Sequence, residues 1–499
     1  MQHIWFLFFI HATLMFFATH EAPCQYWNKQ AVSNVDFLGR THLINKSAWR
    51  HVLRVQDVLP ALLALVFLGL WSFPSYALPA FARQTGQNCL ACHAGGQFPE
   101  LTPYGRLFKL TGYTMGARAM PLSVMAVLDY TRVRNPKDST GVKDTVDFHK
   151  QGTAIFDVGS VFLAGKITDN LGLFAQATYA NYDHQQDNGD WVGHLSPDNT
   201  EFRYADRFIS PGSDLIVGAF ANNNPSMQDV WNSAPAWSYP YVGPTFALGA
   251  PASPLLDGGL GQDAVGAGVY AYWNRSLYGE LALYKTANGP FGFLHPGDNS
   301  GIARIKDGAP YWRLAYTKAF GPHDLMIGTS GLVAEIHENN DVNQPTDRYR
   351  DYGLDAQYQY ILDPHTVTAH ISYIHENVKW GDPPALGYDN SSDTLKELKI
   401  KGAYVYNATY GASLAYQQTT GSTDAGFFGG PADITGNLSG SPDTAAWIPE
   451  VFWTPVQYLR IGAQYWHYTT FSGNSSNYDG FGRNASDNDT LFVYVWGAY

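Results

Sequence analysis

The chain has 499 residues, with 43 acidic against 31 basic side chains and a formal net charge of −12. That balance gives no cationic footprint for nucleic acid and makes cations the more natural visitors. Charged residues and aromatics are each 15%, with 49 Gly and 32 Tyr, a composition suited to a wall that meets lipid on one face and water on the other. Beyond the first 77 residues no apolar run approaches the roughly 20 residues a spanning helix needs, so a helical membrane protein is excluded.

Residues 44–77, "INKSAWRHVLRVQDVLPALLALVFLGLWSFPSYA", have the layout of a secretory leader. Lys46, Arg50 and Arg54 form its basic region, Leu59 to Trp71 its apolar region, and Ser75-Tyr76-Ala77 its small-residue cleavage site. The mature chain is expected to begin at Leu78. Residues 1–43 carry the apolar "IWFLFFIHATLMFF" with no Lys or Arg ahead of it, and read as an extension from a start placed too far upstream. Cys24 falls in that part, so Cys89 and Cys92 are the thiols of the mature chain. A disulfide framework is thereby excluded, apart from one bridge within the pair.

The stretch "FARQTGQNCLACHAGGQFPELTPYGR" (81–106) contains Cys-Leu-Ala-Cys-His. In a c-type haem site each Cys sulfur bonds a former vinyl group and the adjacent His becomes an axial iron ligand; here these are Cys89, Cys92 and His93. A zinc centre needs a second ligand pair, which the sequence does not supply. A redox CxxC needs a thioredoxin-like βαβ setting, which is also missing. The pattern therefore predicts one covalently bound haem c. Thr102-Pro103 predicts a capped helix start, with "PYGRLFKL" helical and Gly112 its stop. Phe98, Leu101, Leu107, Phe108 and Leu110 are candidates to cover the macrocycle. Arg106 and Lys109 are candidates to pair with its propionates, or else line a solvated helix face. The sixth ligand is open among Met115, Met120 and Met125, with Met115 the first candidate. The segment is shorter than most units that fold alone and needs another surface to shelter it.

After residue 120 the period becomes two. In "YWRLAYTKA" (311–319), Trp312, Leu314 and Tyr316 oppose Arg313, Ala315 and Thr317. In "VTAHISY" (367–373), Val367, Ala369, Ile371 and Tyr373 oppose Thr368, His370 and Ser372. "YLRIGAQY" (458–465) does the same. Segments of about ten residues, apolar outward and polar inward, are the mark of a transmembrane β-barrel. Sixteen such strands are predicted, at 121–134, 152–168, 173–182, 199–209, 214–222, 264–274, 276–286, 309–320, 324–337, 346–362, 366–379, 394–406, 409–420, 443–454, 456–471 and 488–499. Short links such as "SPGSD" and "GPHD" alternate with long ones, as periplasmic turns alternate with extracellular loops. The ending "LFVYVWGAY", with a terminal aromatic, resembles the signal by which bacterial barrels are recognised for assembly. The third outer loop, 223–263, is rich in Pro, Trp and Gly; by analogy with general porins it is expected to enter the lumen and meet the haem segment.

The string "FARQTGQNCLACH…FPELTPYGRLFKLTGYT" (81–114), followed by such a barrel, resembles the outer-membrane fused monohaem cytochrome–porins, whose best-known members are iron(II) oxidases. The resemblance covers the whole mature chain in architecture, but its specific motif only residues 81–114. It implies an all-β, 16-stranded antiparallel transmembrane barrel with a small N-terminal monohaem plug: leader 1–77, cytochrome segment 78–118, barrel 119–499. It also implies that Cys89, Cys92 and His93 hold the haem and that Pro99–Tyr113 lies beside it. The inserted "AGGQ" (94–97) departs from the shorter spacing common in that family. The implied activity is oxidation of extracellular Fe(II), or a similar reductant, with the electron passed through haem c to a soluble periplasmic cytochrome or similar carrier. The alternative is a solute-transport porin whose haem is structural or gates passage. Asp183, His184, Asp187 and Asp190, and a second group of His337, Glu338 and Asp341, are candidate Fe(II)-attracting clusters or simply solvated loop charges. His370 reads as a polar lining residue.

Overall fold

The computed structural model describes residues 80–186, 189–232, 241–296 and 302–499. The expected leader, its cleavage point and Asp187 lie outside those residues. Three short helices come first: α1 (Ala80–Thr85), α2 (Cys89–Cys92) and α3 (Pro103–Leu110). The strands of the first half are β1 (Leu122–Val133), β2 (Ala154–Lys166), β3 (Leu171–Gln185), β4 (Trp191–Ser210), β5 (Ser213–Asn222), β6 (Ala264–Trp273), β7 (Leu277–Thr286) and β8 (Ala309–Phe320). Those of the second half are β9 (His323–His337), β10 (Thr346–Leu362), β11 (His365–Lys379), β12 (Ser392–Tyr406), β13 (Tyr410–Gly421), β14 (Thr444–Val456), β15 (Leu459–Thr470) and β16 (Thr490–Ala498).

Each strand pairs antiparallel with its sequence neighbours, and β1 pairs with β16 from Met125↔Ala498 to Val133↔Thr490, closing the barrel. Closure leaves every strand edge paired, which a bilayer requires because it offers no water to unpaired backbone groups. The alternation is borne out. On β8, Leu314 and Tyr316 are 56% and 47% exposed while Arg313, Ala315 and Thr317 between and beside them are buried. On β11, Thr368 and His370 are buried and Ile371 is exposed.

The expected strand bounds match to within a few residues except at β3 and β4. β3 continues to Gln185 and β4 starts at Trp191 rather than 199, so most of the expected second outer loop is strand. Ser196-Pro197-Asp198 has the composition of a turn, yet Pro197 sits opposite Ala177 beside a register shift, a place where a missing N–H is tolerated.

An outward residue at mid-height meets hydrocarbon, whereas one at a strand end meets the interface. Leu314→Arg is predicted to destabilise the barrel by about 2–4 kcal/mol and Leu362→Arg, at the end of β10, by no more than about 1. Urea unfolding in lipid vesicles measures both.

Candidate functional site

The segment that follows Ala80 lies inside the barrel at its short-turn end. Cys89 N donates to Gln457 Oε1 (3.1 Å) in the β14–β15 turn. Gln84 takes Lys166 N at the end of β2 (2.9 Å) and gives its amide to the carbonyls of Tyr113 (2.6 Å) and Met115 (2.9 Å). Tyr270 on β6 donates to Leu110 O (2.6 Å). The need of this segment for a sheltering surface is met by the barrel wall.

The motif is built locally. Asn88 caps α2 by accepting from Ala91 N, and Thr102 caps α3 by accepting from Gly105 N (3.2 Å). Thr102 Oγ1 also donates to Ala91 O (2.5 Å), tying the helices together. The expected capped start at Thr102-Pro103 is therefore present, and Gly112 has a φ of +73° just past the helix. α3 crosses so close to the motif that a Cβ on Gly105 would overlap the Cys92 carbonyl, which only glycine avoids. The inserted "AGGQ" forms a tight turn with φ +60° at Gly95, where a Cβ would come within 2.9 Å of Val405 Cγ2 on β12.

Cys89 and Cys92 are free thiols, Cys89 buried and Cys92 half-buried next to the exposed Leu90. Burial pushes both thiols up to about 11. His93 follows at the end of the turn, its ring edge-on to Phe98 (4.5 Å between centroids), with Trp496 beyond (5.7 Å). Its Nδ1 is enclosed and has no hydrogen-bond partner among the described residues. Burial lowers the imidazole to about 4, so the ring is neutral, the form that ligates a metal. Two free thiols three residues apart, followed by a neutral imidazole with an unused buried nitrogen, are a donor set that fits haem c.

Arg106 forms an ion pair with Asp324 on β9 (2.5 Å) and donates to Gln357 (3.1 Å) and Gln359 (3.0 Å) on β10. Lys109 Nζ donates to Met227 O (2.7 Å), Asp229 O (2.7 Å) and Asn232 Oδ1 (2.9 Å) in the third outer loop; burial brings it down to about 7. Neither cation lies on a solvated helix face: both are buried and tie the segment to the wall and the loop. Met115 lies past the end of α3, with its carbonyl on Gln84, whereas His93 bridges Leu101 before α3 begins; a helix of this length separates the two ends by about 12 Å.

The third outer loop enters the lumen, as expected. Trp231 is 1% exposed and its carbonyl accepts from Gln357 (3.1 Å). Leu255 N donates to Glu376 (2.6 Å), Leu256 N to Asp351 (2.6 Å), and Lys399 pairs with Asp257 (2.6 Å). Asn232 Nδ2 donates to Pro99 O (2.8 Å), so loop and plug meet.

Glu100 was not singled out in the sequence. It is fully buried, 2.9 Å from Lys401 Nζ and 3.5 Å from His370 Nε2. Burial alone would raise its carboxyl, but Lys401 and His370 hold it well below the usual carboxylate range. Its signal was an isolated charge between Pro99 and Leu101; its partners His370 and Lys401 stand inward on β11 and β12. His370 is thus a lining residue. The Asp183 side chain and Asp187 lie outside the described residues; among the described residues no group of three or more His, Cys, Asp or Glu could hold an ion. His337 bonds Gln344 O (2.9 Å), and Glu338 accepts from Asp382 N (2.7 Å).

No protein-family model and no curated protein matches the chain in sequence. Among solved structures it is similar to Salmonella typhi OmpF in complex with daunomycin (TM-score 0.42, 10% identity, 76% of this chain and 97% of that one). It is also similar to the outer-membrane channel DcaP of Acinetobacter baumannii (0.42, 12%, 76% and 96%) and to an anion-selective porin from Comamonas acidovorans (0.41, 9%, 76% and 98%). The closed ladder with apolar outward and polar inward positions is itself an outer-membrane barrel architecture.

Truncating Glu100 leaves Lys401 buried without its carboxylate partner. Glu100→Ala is predicted to weaken plug docking by about 3–5 kcal/mol, read as faster hydrogen exchange of residues 89–110 with the strand amides unchanged.

Proposed function

We propose that the chain is an outer-membrane electron conduit of the fused monohaem cytochrome–porin type, oxidising extracellular Fe(II) or a similar reductant and delivering the electron to a periplasmic carrier. The observation that carries the reading is the Cys89–Cys92–His93 set, built on a capped turn inside a segment that occupies the lumen. Cys89 and Cys92 would hold haem c and His93 would ligate its iron. Bound there, the group supplies a one-electron redox centre within the thickness of an insulating membrane.

The chain's own residues do the rest. The Glu100–Lys401 and Arg106–Asp324 pairs fix the turn before α3 and its first residues against β12 and β9. Phe98 and Trp496 place apolar rings beside His93, and an apolar shell around a redox site limits water access and sets its polarity. Lys109 and Asn232 clamp the third outer loop onto the plug, narrowing the water path from the outer mouth. A second reading, a solute-transport barrel with a structural or gating haem, is favoured by that same loop, which lies across the lumen as a constriction.

Full-length protein produced with haem c maturation is expected to carry haem that survives denaturing electrophoresis, and Cys89→Ala with Cys92→Ala to abolish it while the barrel still folds. Absence of covalent haem from the wild type would sink the cofactor assignment. Anaerobic stopped-flow mixing with Fe²⁺ is expected to reduce the oxidised protein; reduction by dithionite but not Fe²⁺ would remove iron as the donor. Liposome swelling by small sugars, unaltered by haem redox state, would support transport instead.

A further inference from the structure

The outward face of a barrel is apolar where it meets hydrocarbon, so a run of cations on that face marks the place where the hydrocarbon ends. Descending β10 from its long-loop end, the outward positions are Arg348, Arg350, Tyr352 and Leu354, the last two 54% and 61% exposed. Their inward neighbours Asp347 and Asp351 are buried. The register places Lys379 of β11 opposite Arg348, and Lys396 of β12 opposite His375, which in turn faces Tyr352. Below them the outward positions turn apolar, with Ile371 and Ile400 exposed. All three strands thus pass from a cation to apolar side chains, through an aromatic on β10 (Tyr352) and β11 (Tyr373) and directly through Leu398 on β12.

Height agrees with this profile. At about 3.4 Å per residue and a tilt near 40°, positions 350 and 360 are roughly 26 Å apart along the membrane normal, close to the ~25 Å apolar band of such barrels. Tyr358 and Tyr360 then stand at the short-turn interface and Arg350 at the outer one. Arg348, Arg350, Asn377, Lys379, Ser391 and Ser392 line a concave pocket of about 260 Å³. Arg348 has Glu335 at 3.7 Å, while Arg350, Lys379 and Lys396 have no hydrogen bond or ion pair among the described residues. On a chain of net charge −12, a concentration of unpaired cations at this height asks for an external anion. Guanidinium forks and serine hydroxyls suit a phosphate group.

We propose that the outward basic face at the long-loop ends of β10, β11 and β12 binds the phosphorylated headgroup of an outer-leaflet glycolipid, with its acyl chains lying along Leu354, Ile371 and Ile400. The inference rests on the membrane placement of the barrel and is independent of the haem. Bound lipid would fix the orientation and depth of this sector of the wall.

The test uses full-length protein in detergent micelles, titrated with diphosphorylated lipid A, with its dephosphorylated form and with inorganic phosphate. Wild type is expected to retain the diphosphorylated lipid at least tenfold more tightly than the variant R350A/K379A/K396A. Lys285→Ala, which removes an exposed cation on β7, is expected to leave binding unchanged. Heat-modifiable electrophoretic mobility reports that each variant is still a closed barrel, separating failure of this proposal from failure of the barrel reading. If the triple variant does not fold, binding to the wild type must weaken as salt rises. Equal binding by wild type and the folded variant, equal binding of the dephosphorylated lipid, or displacement by millimolar phosphate would each overturn the proposal, the last in favour of a free-anion site.

Discussion

A sixteen-stranded barrel encloses more space than its own inward side chains fill, and in this chain many inward positions are charged. Burying a charge without a partner costs several kcal/mol, so those charges must be answered one by one. The plug and the third outer loop answer several of them, while others, such as Arg460 with Glu450, are paired within the wall. Glu100 answers Lys401, Arg106 answers Asp324, and Asp229 of the loop answers Arg313 at 3.1 Å. Arg203 of β4, paired with Glu201 at 2.8 Å, also donates to Gln228 O in the loop (2.6 Å). The lumen filling is therefore held by matched charge and not by apolar packing alone.

This constraint decides the position of the Cys-Leu-Ala-Cys-His motif. Residues too few to fold alone are oriented by the contacts of α1 to β2, of α3 to β6 and β9, and of the Gly95 turn to β12. Gly105 lets α3 press against the Cys92 carbonyl, so the thiols, His93 and the helix form one rigid unit seated at the short-turn mouth. A group attached there would communicate with the periplasmic side through the mouth and with the outer side through the loop that covers it. The same wall is apolar outside, and where the apolar band ends it turns basic.

Most of the barrel was legible in the sequence because a strand with one face in lipid and the other in a lumen must alternate. The alternation in "YWRLAYTKA" maps directly onto exposed Leu314 and Tyr316 against buried Arg313. The start of β4 was not legible, since Pro197 and its polar neighbours have turn composition and a bulge in β4 opposite Ala175–Ala177 accommodates them. The motif and the cap at Thr102 were legible because both are local. The partners of Arg106 and Lys109 were not, because a short helix gives no indication of whether its cations meet water, a cofactor or a wall more than a hundred residues away in the chain. Glu100 was missed for the same reason: its meaning resides in Lys401 and His370.

The central claim is that matched buried charges hold plug and loop in the lumen and close it. Single-channel conductance in planar bilayers tests it most directly, comparing the intact chain with Glu100→Ala combined with Arg106→Ala. The account predicts little steady current through the intact chain and frequent large openings in the double variant. Large steady currents through the intact chain, equal to those of the variant, would contradict it.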